Sequence, residues 1–137
     1  MGKSAGYSPR TLAQKLGYKA GQRVSIIDAP QYYFEILGPL PADVDIADSL
    51  RPQSDMVHCF CRSNAELETA WNALKTAINK NGSLWISWPK KSSPLAGDIS
   101  EDTIRATALA GGLVDVKVCA VDADWSGLKL MYRRADR

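Results

Sequence analysis

The chain has 137 residues, of which 45% are hydrophobic and 23% are charged. This length and composition can bury a core without disulfides or metals, and they exclude a disordered protein. Seventeen basic and fifteen acidic residues leave a net charge of +2, so charge alone does not indicate a nucleic-acid or membrane-surface protein. We expect one domain, with an N-terminal helix and lead-in over residues 7–22 and an α/β sheet domain over residues 23–134.

The three cysteines are Cys59, Cys61 and Cys119, an odd number that leaves no complete disulfide framework. Free thiols favour a reducing, cytoplasmic location. The first 23 residues lack the unbroken apolar stretch of a signal peptide, and no apolar run approaches the roughly 20 residues of a membrane span. We therefore predict a soluble cytoplasmic protein with no membrane contact.

The first half of the chain predicts short elements separated by turns. Ser8 is expected to cap a short helix that has Pro9 at its first position and Gly17 at its end. A buried strand over Arg23–Asp28 follows and ends at Ala29-Pro30. The remaining elements of this half are a short amphipathic helix over Gln31–Leu37 and a very short strand over Val44–Ile46.

The second half predicts longer elements. Asp55–Arg62 has mostly apolar residues on both faces, which is typical of a parallel strand covered on two sides. Ser63 begins a helix that runs to about Asn79, with Glu66 at the capping-box position, and Asn81-Gly82 ends it. The remaining elements are a strand over Ser83–Trp88 stopped by Pro89, a helix capped by Ser100 that runs through Ala110 and ends at Gly111-Gly112, a strand over Val114–Val121, a turn over Asp122–Gly127 and an antiparallel strand over Leu128–Arg133.

This order of elements predicts a three-layer Rossmann-like α/β fold with a mostly parallel sheet of five to six strands and a C-terminal antiparallel hairpin. Its last elements resemble the second half of a methyltransferase sheet. Residues 31–53 are too few for the full strand-helix-strand-helix segment of such a sheet, so a trimmed version is expected.

Several segments carry a closer resemblance. They are Leu12–Gly17 with Gly21–Val24, Leu84–Lys91 with its Trp-Pro-Lys-Lys motif, and Gly112–Asp122 with the Trp-Ser-Gly-Leu motif of Trp125–Leu128. Together they resemble a family of small bacterial proteins known only as a domain of unknown function. The resemblance spans Leu12 to Arg133, and it supports the fold without implying an activity.

A dinucleotide or S-adenosylmethionine site in such a fold needs a glycine-rich turn after the first strand. Here the turn reads Ile27-Asp-Ala-Pro-Gln-Tyr without a glycine, and Pro30 has no N–H to offer a phosphate or a carboxylate. The acid that would bind ribose hydroxyls could be Asp43, Asp45 or Asp48, near the end of the predicted second strand. A degenerate nucleotide pocket and a solvated acidic loop are both compatible with this pattern, and no cofactor is predicted.

The carboxyl ends of parallel strands form the ligand-binding edge of an open α/β sheet. Lys90 and Lys91 could pair with an anion there, the N–H groups after Ser100 could help to hold it, and an indole could stack on a planar ring. The alternative is that Trp88 packs in the core and the aspartates pair with lysines. The candidate ligand-binding residues are Asp28, Arg62, Trp88, Lys90, Lys91, Ser100, Asp122, Asp124, Trp125 and Ser126.

No catalytic residue is predicted. His58 is the only histidine, and it lies in mid-strand on the face opposite Cys59 and Cys61, which is typical of a core histidine. Two thiolates do not complete a tetrahedral zinc site, and Cys119 on another strand is better explained as a buried apolar side chain. No metal site is predicted either.

Charge is segregated along the chain. Residues 1–23 carry five basic residues and no acid, whereas residues 24–55 carry six acids against Arg51 alone. An N-terminal helix packed against its acidic neighbour would explain this segregation. The alternative is a docking patch for a protein or RNA that also uses Arg133, Arg134 and Arg137, but the absence of interleaved aromatic residues disfavours nucleic acid.

These observations favour a small non-catalytic domain that binds a protein partner or a small anionic ligand at the carboxyl edge of its sheet. The alternative is an enzyme, either a reduced methyltransferase-like one or one that uses a nucleotide. An open cleft between Ala29 and Trp88 would favour a ligand or an enzyme, whereas side chains of Tyr32–Leu37 filling that cleft would exclude both.

Overall fold

A computed structural model describes residues 10–137, which form alternating helices and strands. None of the described helices is long and apolar enough to cross a membrane. A short 3-10 helix over Arg134–Asp136 ends the chain. The other elements are α1 (Leu12–Leu16), β1 (Arg23–Ile27), α2 (Tyr33–Leu37), β2 (Asp45–Ala47), β3 (Ser54–Phe60), α3 (Asn64–Ala77), β4 (Ile78–Pro89), α4 (Glu101–Ala110), β5 (Leu113–Ala120) and β6 (Trp125–Tyr132).

The six strands form a single sheet in the order β2-β1-β3-β4-β6-β5. Neighbours are parallel from β2 through β4, and β6 is antiparallel to both β4 and β5. The predicted Rossmann-like α/β class, the mostly parallel sheet and the C-terminal hairpin are therefore confirmed. Because β6 is inserted between β4 and β5, the free edge at this end of the sheet belongs to β5.

Two hydrophobic clusters lie on opposite faces of the sheet. Helices α3 and α4 cover one face, where Leu74 and Ile104 pack against Leu84 and Leu130 of the central strands. Helices α1 and α2 cover the other face, and their side chains pack against β1, β3, β4 and the hairpin. Apolar side chains on both faces of β3 and β4 explain this arrangement, since burying each large aliphatic side chain contributes roughly 1.5–3 kcal/mol.

Helix α1 begins later than predicted. Ser8 and Pro9 lie outside the described residues, and the N-cap of α1 is Thr11. The Thr11 hydroxyl accepts a hydrogen bond from the Gln14 N–H at 3.2 Å, and the Gln14 side chain accepts one from the Thr11 N–H at 2.9 Å. This reciprocal pair satisfies two N–H groups at the start of the helix, and Gly17 ends it with a φ of 93° as expected.

The predicted helix stop at Asn81-Gly82 is wrong. Helix α3 ends at Ala77, and β4 begins at the next residue, Ile78, which pairs with Ser54 of β3. The residues between Ile78 and Ser83 bulge out of register, and Gly82 is needed there because a Cβ would lie 2.8 Å from the Asp55 carbonyl oxygen. Strand pairing with β3 therefore ends the helix before any turn residue does.

Two further predictions need correction. The Ser63 hydroxyl caps α3 by accepting a hydrogen bond from the Glu66 N–H. The reciprocal bond of a capping box is missing, because the Glu66 carboxylate accepts from the Arg62 N–H at 2.8 Å and not from the Ser63 N–H. The hairpin turn is also shorter than predicted. The Asp122 carboxylate accepts from the N–H groups of Asp124 and Trp125, and this tight turn lets β6 begin at Trp125.

Candidate functional site

A cleft of about 640 Å³ opens at the carboxyl ends of β1 and β2. It forms because β2 has only three residues, which pair with Arg23, Val24 and Ser25 of β1. The last two residues of β1, Ile26 and Ile27, therefore extend past the end of β2. The turn after β1 and helix α2 close the other sides of the cleft, which we call the β1–β2 cleft.

Two carboxylates border the β1–β2 cleft. Asp28 follows β1 directly and adopts a left-handed backbone with a φ of 58°, and Asp48 follows β2 directly. Of the three acids considered for a ribose, Asp43 precedes β2 and Asp45 pairs with Arg51 at 3.1 Å, so only Asp48 reaches the cleft. Asp48 lies 20 residues after Asp28, the spacing at which Rossmann-type sites place the acid for ribose hydroxyls.

The wall of the cleft includes an exposed aromatic ring that the sequence analysis missed. Helix α2 turns Tyr33 and Leu37 into the core, whereas Phe34 is 55% exposed and lines the cleft. Ala29 and Ala47 supply further apolar surface. The signal for Phe34 was its position outside the apolar stripe of a short amphipathic helix, since a large aromatic residue on the exposed face of a helix needs a reason.

A chain of buried hydrogen bonds supports the floor of this cleft. The hydroxyls of Tyr18 and Tyr33 are 2.7 Å apart, and the Tyr33 hydroxyl lies 2.8 Å from His58 Nδ1. His58 Nε2 lies 2.7 Å from the Ser87 hydroxyl. Burial lowers the pKa of His58 to about 3 and raises the pKa of Tyr18 to about 12, so both groups are neutral at pH 7. The interpretation of His58 as a core histidine is confirmed.

Asp28 also borders a second, smaller depression of about 370 Å³ on the α3 side, together with Cys59, Cys61 and Glu66. The two sulfur atoms are 3.8 Å apart. The hydrogen bond with Cys61, together with burial, raises the pKa of Cys59, which therefore stays a neutral thiol and a weak nucleophile. Within residues 10–137 no three histidine, cysteine or acidic side chains are arranged to hold a metal ion.

A further set of predicted residues meets at the hairpin turn. The Lys90 N–H donates to the Asp124 carbonyl at 2.8 Å, and the Arg62 guanidinium lies 5.9 Å from the centre of the Trp125 ring. Tyr32 lies against the same turn: burial and a hydrogen bond with Asp122 raise its pKa to about 12. Ser126 belongs to β6, where it pairs with both neighbouring strands.

The predicted stacking role is wrong for Trp125. Trp125 is 1% exposed and packs on Phe60 at 5.0 Å between ring centres, and Trp88 is 9% exposed within the core beneath α3 and α4. Trp125 therefore offers no free face to a ligand, whereas Trp88 still lines a depression before α4. The expected cleft between Ala29 and Trp88 is not the one that the structure shows. The β1–β2 cleft lies on the β2 side of Ala29, whereas on the other side of Ala29 Tyr32 contacts the hairpin turn.

Lys91 and Ser100 lie apart from the hairpin turn, in a depression of about 430 Å³ before α4 that Trp88 also lines. The Ser100 hydroxyl accepts from the Thr103 N–H and thereby caps the helix as predicted. The same depression is lined by three acids against a single lysine, which does not favour an anion. The acids are Asp98, Glu101 and Asp102. The candidate ligand-binding residues thus all lie near the carboxyl ends of the parallel strands, but they belong to separate surfaces and do not form one site.

A comparison with protein families identifies the family to which the chain belongs. A family described as a protein of unknown function, DUF3052, matches residues 42–134, which is more than half of the chain, and the protein belongs to this family. The Trp-Pro-Lys-Lys and Trp-Ser-Gly-Leu motifs lie inside the matched range, whereas the segments Leu12–Gly17 and Gly21–Val24 precede it. No curated protein matches the chain.

Solved structures share the fold at low sequence identity. A SAM-dependent methyltransferase from Aquifex aeolicus is 15% identical with a TM-score of 0.59, covering 88% of this chain and 87% of its own. A TehB-like SAM-dependent methyltransferase from Corynebacterium glutamicum is 12% identical with a TM-score of 0.58, covering 94% and 91%. Magnesium protoporphyrin IX methyltransferase from Synechocystis, with bound SAM, is 14% identical with a TM-score of 0.55, covering 89% and 74%. The protein therefore has a methyltransferase-like fold.

Proposed function

We propose that this DUF3052 member is a binding domain for a phosphate-free nucleoside ligand of the S-adenosylmethionine type, held in the β1–β2 cleft. The observation that supports this proposal most directly is the open cleft flanked by Asp28 and Asp48 at the ends of two parallel strands. Proteins of the same fold are SAM-dependent methyltransferases, and one has SAM bound. That similarity guides the choice of ligand.

The charge of the cleft selects against phosphates. It is lined by two acids, Asp28 and Asp48, and by no lysine or arginine, so a nucleotide phosphate would meet like charge. The turn after β1 contains no glycine that would let the backbone approach a diphosphate, and Pro30 lacks an N–H. The sulfonium cation and the uncharged nucleoside of S-adenosylmethionine avoid the repulsion by the two acids, and its methionine carboxylate would have to bind away from the turn after β1. For the β1–β2 cleft we therefore propose a cationic or neutral ligand, and not the small anion predicted from the sequence.

The lining residues suit the parts of such a ligand. The Asp48 carboxylate would accept hydrogen bonds from ribose hydroxyls, and Asp28 would face the positive charge. Phe34 and Ala47 offer apolar surface to a planar base. When bound, S-adenosylmethionine supplies an activated methyl group.

Binding without catalysis is favoured by the groups around the cleft. His58 is neutral with both ring nitrogens bonded, and the Cys59 thiol has a raised pKa. Neither group can act as a general base at neutral pH. A reduced methyltransferase remains the alternative, because transfer of an activated methyl group depends mainly on the position of its acceptor.

The first prediction concerns Asp48. We expect Asp48→Asn to weaken binding of S-adenosylmethionine and S-adenosylhomocysteine at least tenfold, because a hydrogen bond to a charged acceptor contributes about 1.5–3 kcal/mol. Isothermal titration calorimetry measures the change. Asp43→Asn is the matched control, since Asp43 lies before β2 and outside the cleft, and it should stay within twofold of the wild type.

No binding by the wild type at millimolar ligand, or equal affinity in Asp48→Asn, would contradict the proposal. The enzyme alternative is tested separately by incubating the protein with tritium-labelled S-adenosylmethionine and a bacterial extract. Transfer of label that depends on the protein would support an enzyme. Binding without transfer would support the non-catalytic domain.

A further inference from the structure

A cluster of basic side chains gathers where α1 meets the β5–β6 hairpin. Lys117 of β5 and Lys129 of β6 are directly opposed in the antiparallel register. Lys15 of α1 and Lys117 line a depression of about 270 Å³. The Lys129 ammonium lies 3.9 Å from the point where a Cβ on Gly17 would stand, so it is next to the end of α1.

These charges repel one another. Like charges directly opposite on neighbouring strands destabilise a sheet. Burial, together with the charges of Lys117 and Lys19, lowers the pKa of Lys129. Burial raises the pKa of the nearby Cys119 thiol, whereas the positive charges of Lys15, Lys117 and Arg10 lower it. These three basic side chains therefore lie near the same part of β5.

Among residues 10–137, no ion pair brings a carboxylate to these four lysines. Within the described part of the chain, the ion pairs use Arg51 and Arg105, and none includes Lys15, Lys19, Lys117 or Lys129. Residues 1–9 contribute Lys3 and no acid to the sequence. As expected, α1 packs against α2 of the acidic segment. None of the ion pairs in residues 10–137 joins the two helices, however, and Lys15 instead lies beside Lys117.

The adjoining strand has a free edge. β5 pairs only with β6, and Val116 and Val118 beside Lys117 are 47% and 49% exposed. An edge strand can form main-chain hydrogen bonds with an extended segment of another protein. A lysine on such an edge discourages pairing with a basic or neutral strand, so it restricts the partner to a segment that carries negative charge.

We propose that this basic surface, formed by Lys15, Lys19, Lys117 and Lys129 with the free edge of β5, docks an acidic extended segment of a partner protein. Acidic side chains would neutralise the lysines, and alternate apolar side chains would cover the exposed valines. Single-stranded nucleic acid binds through aromatic stacking as well as charge, and the exposed large apolar side chains at this surface are aliphatic. The proposal uses no residue of the β1–β2 cleft.

Fluorescence anisotropy with a labelled twelve-residue peptide of alternating glutamate and valine tests the proposal. We expect the wild type to bind this peptide at 50 mM salt, and a lysine–valine peptide of equal length not to bind. The double variant Lys117→Glu with Lys129→Glu should weaken binding at least tenfold. The matched control, Lys90→Glu with Lys91→Glu, makes the same change in net charge and should stay within twofold, because both lysines follow the end of β4 and neither lines the depression of Lys15 and Lys117.

Three results would overturn the proposal. They are equal loss of binding in both double variants, no binding of the acidic peptide at 0.1 mM, and tighter binding of a labelled oligothymidine than of the peptide. Amide hydrogen exchange reports the docking mode, and slower exchange over residues 115–120 with the peptide is expected. If the double variant does not fold, Lys117→Gln serves instead, and it should both weaken peptide binding and raise the Tm at low salt.

Discussion

At the scale of single residues, His58 shows how the fold uses polar groups inside its core. Its ring lies between Tyr33 and Ser87 with a hydrogen bond at each nitrogen, and it stacks on Phe60 at 4.4 Å between ring centres. A buried polar group stabilises a fold only when its hydrogen bonds are satisfied. The histidine thus fastens α2 to the sheet beneath the β1–β2 cleft rather than taking part in chemistry there.

A pH dependence of stability follows from the lowered pKa of His58. The pKa is about 3 in the folded protein against 6.5 for an ordinary histidine, so only the unfolded chain takes up a proton between these values. Stability should be fully present above about pH 6.5 and fall by roughly 1.4 kcal/mol per pH unit as the pH drops below it. Urea unfolding at pH 7, 6 and 5 measures the loss.

His58→Gln is the control for this prediction. Glutamine keeps a polar side chain at the position but does not titrate, so the variant should be less stable than the wild type at pH 7 and show a flatter profile down to pH 5. Carboxylates begin to titrate only near the lower limit of this range and do so in both proteins. An equally steep profile in the variant would assign the acid sensitivity to other groups.

At the scale of elements, α3 and α4 approach closely at Gly111. The φ of Gly111 is −89°, which any residue can adopt, so its backbone does not require glycine. A Cβ at this position would lie 2.2 Å from Nε1 of Trp71 on α3. The glycine at the end of α4 is therefore needed for packing of the indole between the helices, and not for the helix stop alone.

We expect Gly111→Ala to lower the free energy of unfolding by about 1–3 kcal/mol, the range for an overpacked core. The clash should be relieved when Trp71 is replaced by leucine, so the cost of Gly111→Ala should be smaller in a Trp71→Leu background. Chemical denaturation of the two single variants and the double variant completes the cycle. Additive effects would show that Gly111 and Trp71 do not interact.

At the scale of the whole molecule, the two proposed sites lie towards opposite edge strands of the sheet and differ in charge. The short β2 leaves the β1–β2 cleft with its two carboxylates towards one edge, and the hairpin with its lysines lies towards the other. The net charge of +2, which balances seventeen basic against fifteen acidic residues over the whole chain, does not report this separation. The two proposed partners, a phosphate-free nucleoside and an acidic polypeptide, correspond to these two sites.

Ligand binding in the cleft should stabilise the whole domain. At a hundred times its Kd, S-adenosylmethionine is expected to add about 2.7 kcal/mol to the free energy of unfolding, which raises the Tm by several degrees. NAD and ATP should give no shift, because their phosphates meet Asp28 and Asp48. Differential scanning fluorimetry with all three ligands checks this prediction, and a shift with ATP alone would point to an anion site elsewhere.

Several elements of the fold could be predicted because their signals are local. Helix α4 begins after Ser100 and ends before Gly111 as expected, since a capping hydroxyl and a glycine act on their own neighbours in sequence. The junction of α3 with β4 could not be predicted. Ile78 leaves the helix because it pairs with Ser54, a residue 24 positions earlier, and no local pattern reports that contact.

The sequence by itself determined the fold class, the sheet strands that are covered on both faces, and the presence of an acid near the end of β2. These properties follow from apolar periodicity and turn residues, which act over a few neighbouring positions. Only the tertiary structure decided that Asp48 rather than Asp43 or Asp45 reaches the cleft, that Trp88 and Trp125 are buried, and that Lys15 faces Lys117. Each of these depends on strand order and register, which bring together residues far apart in the chain.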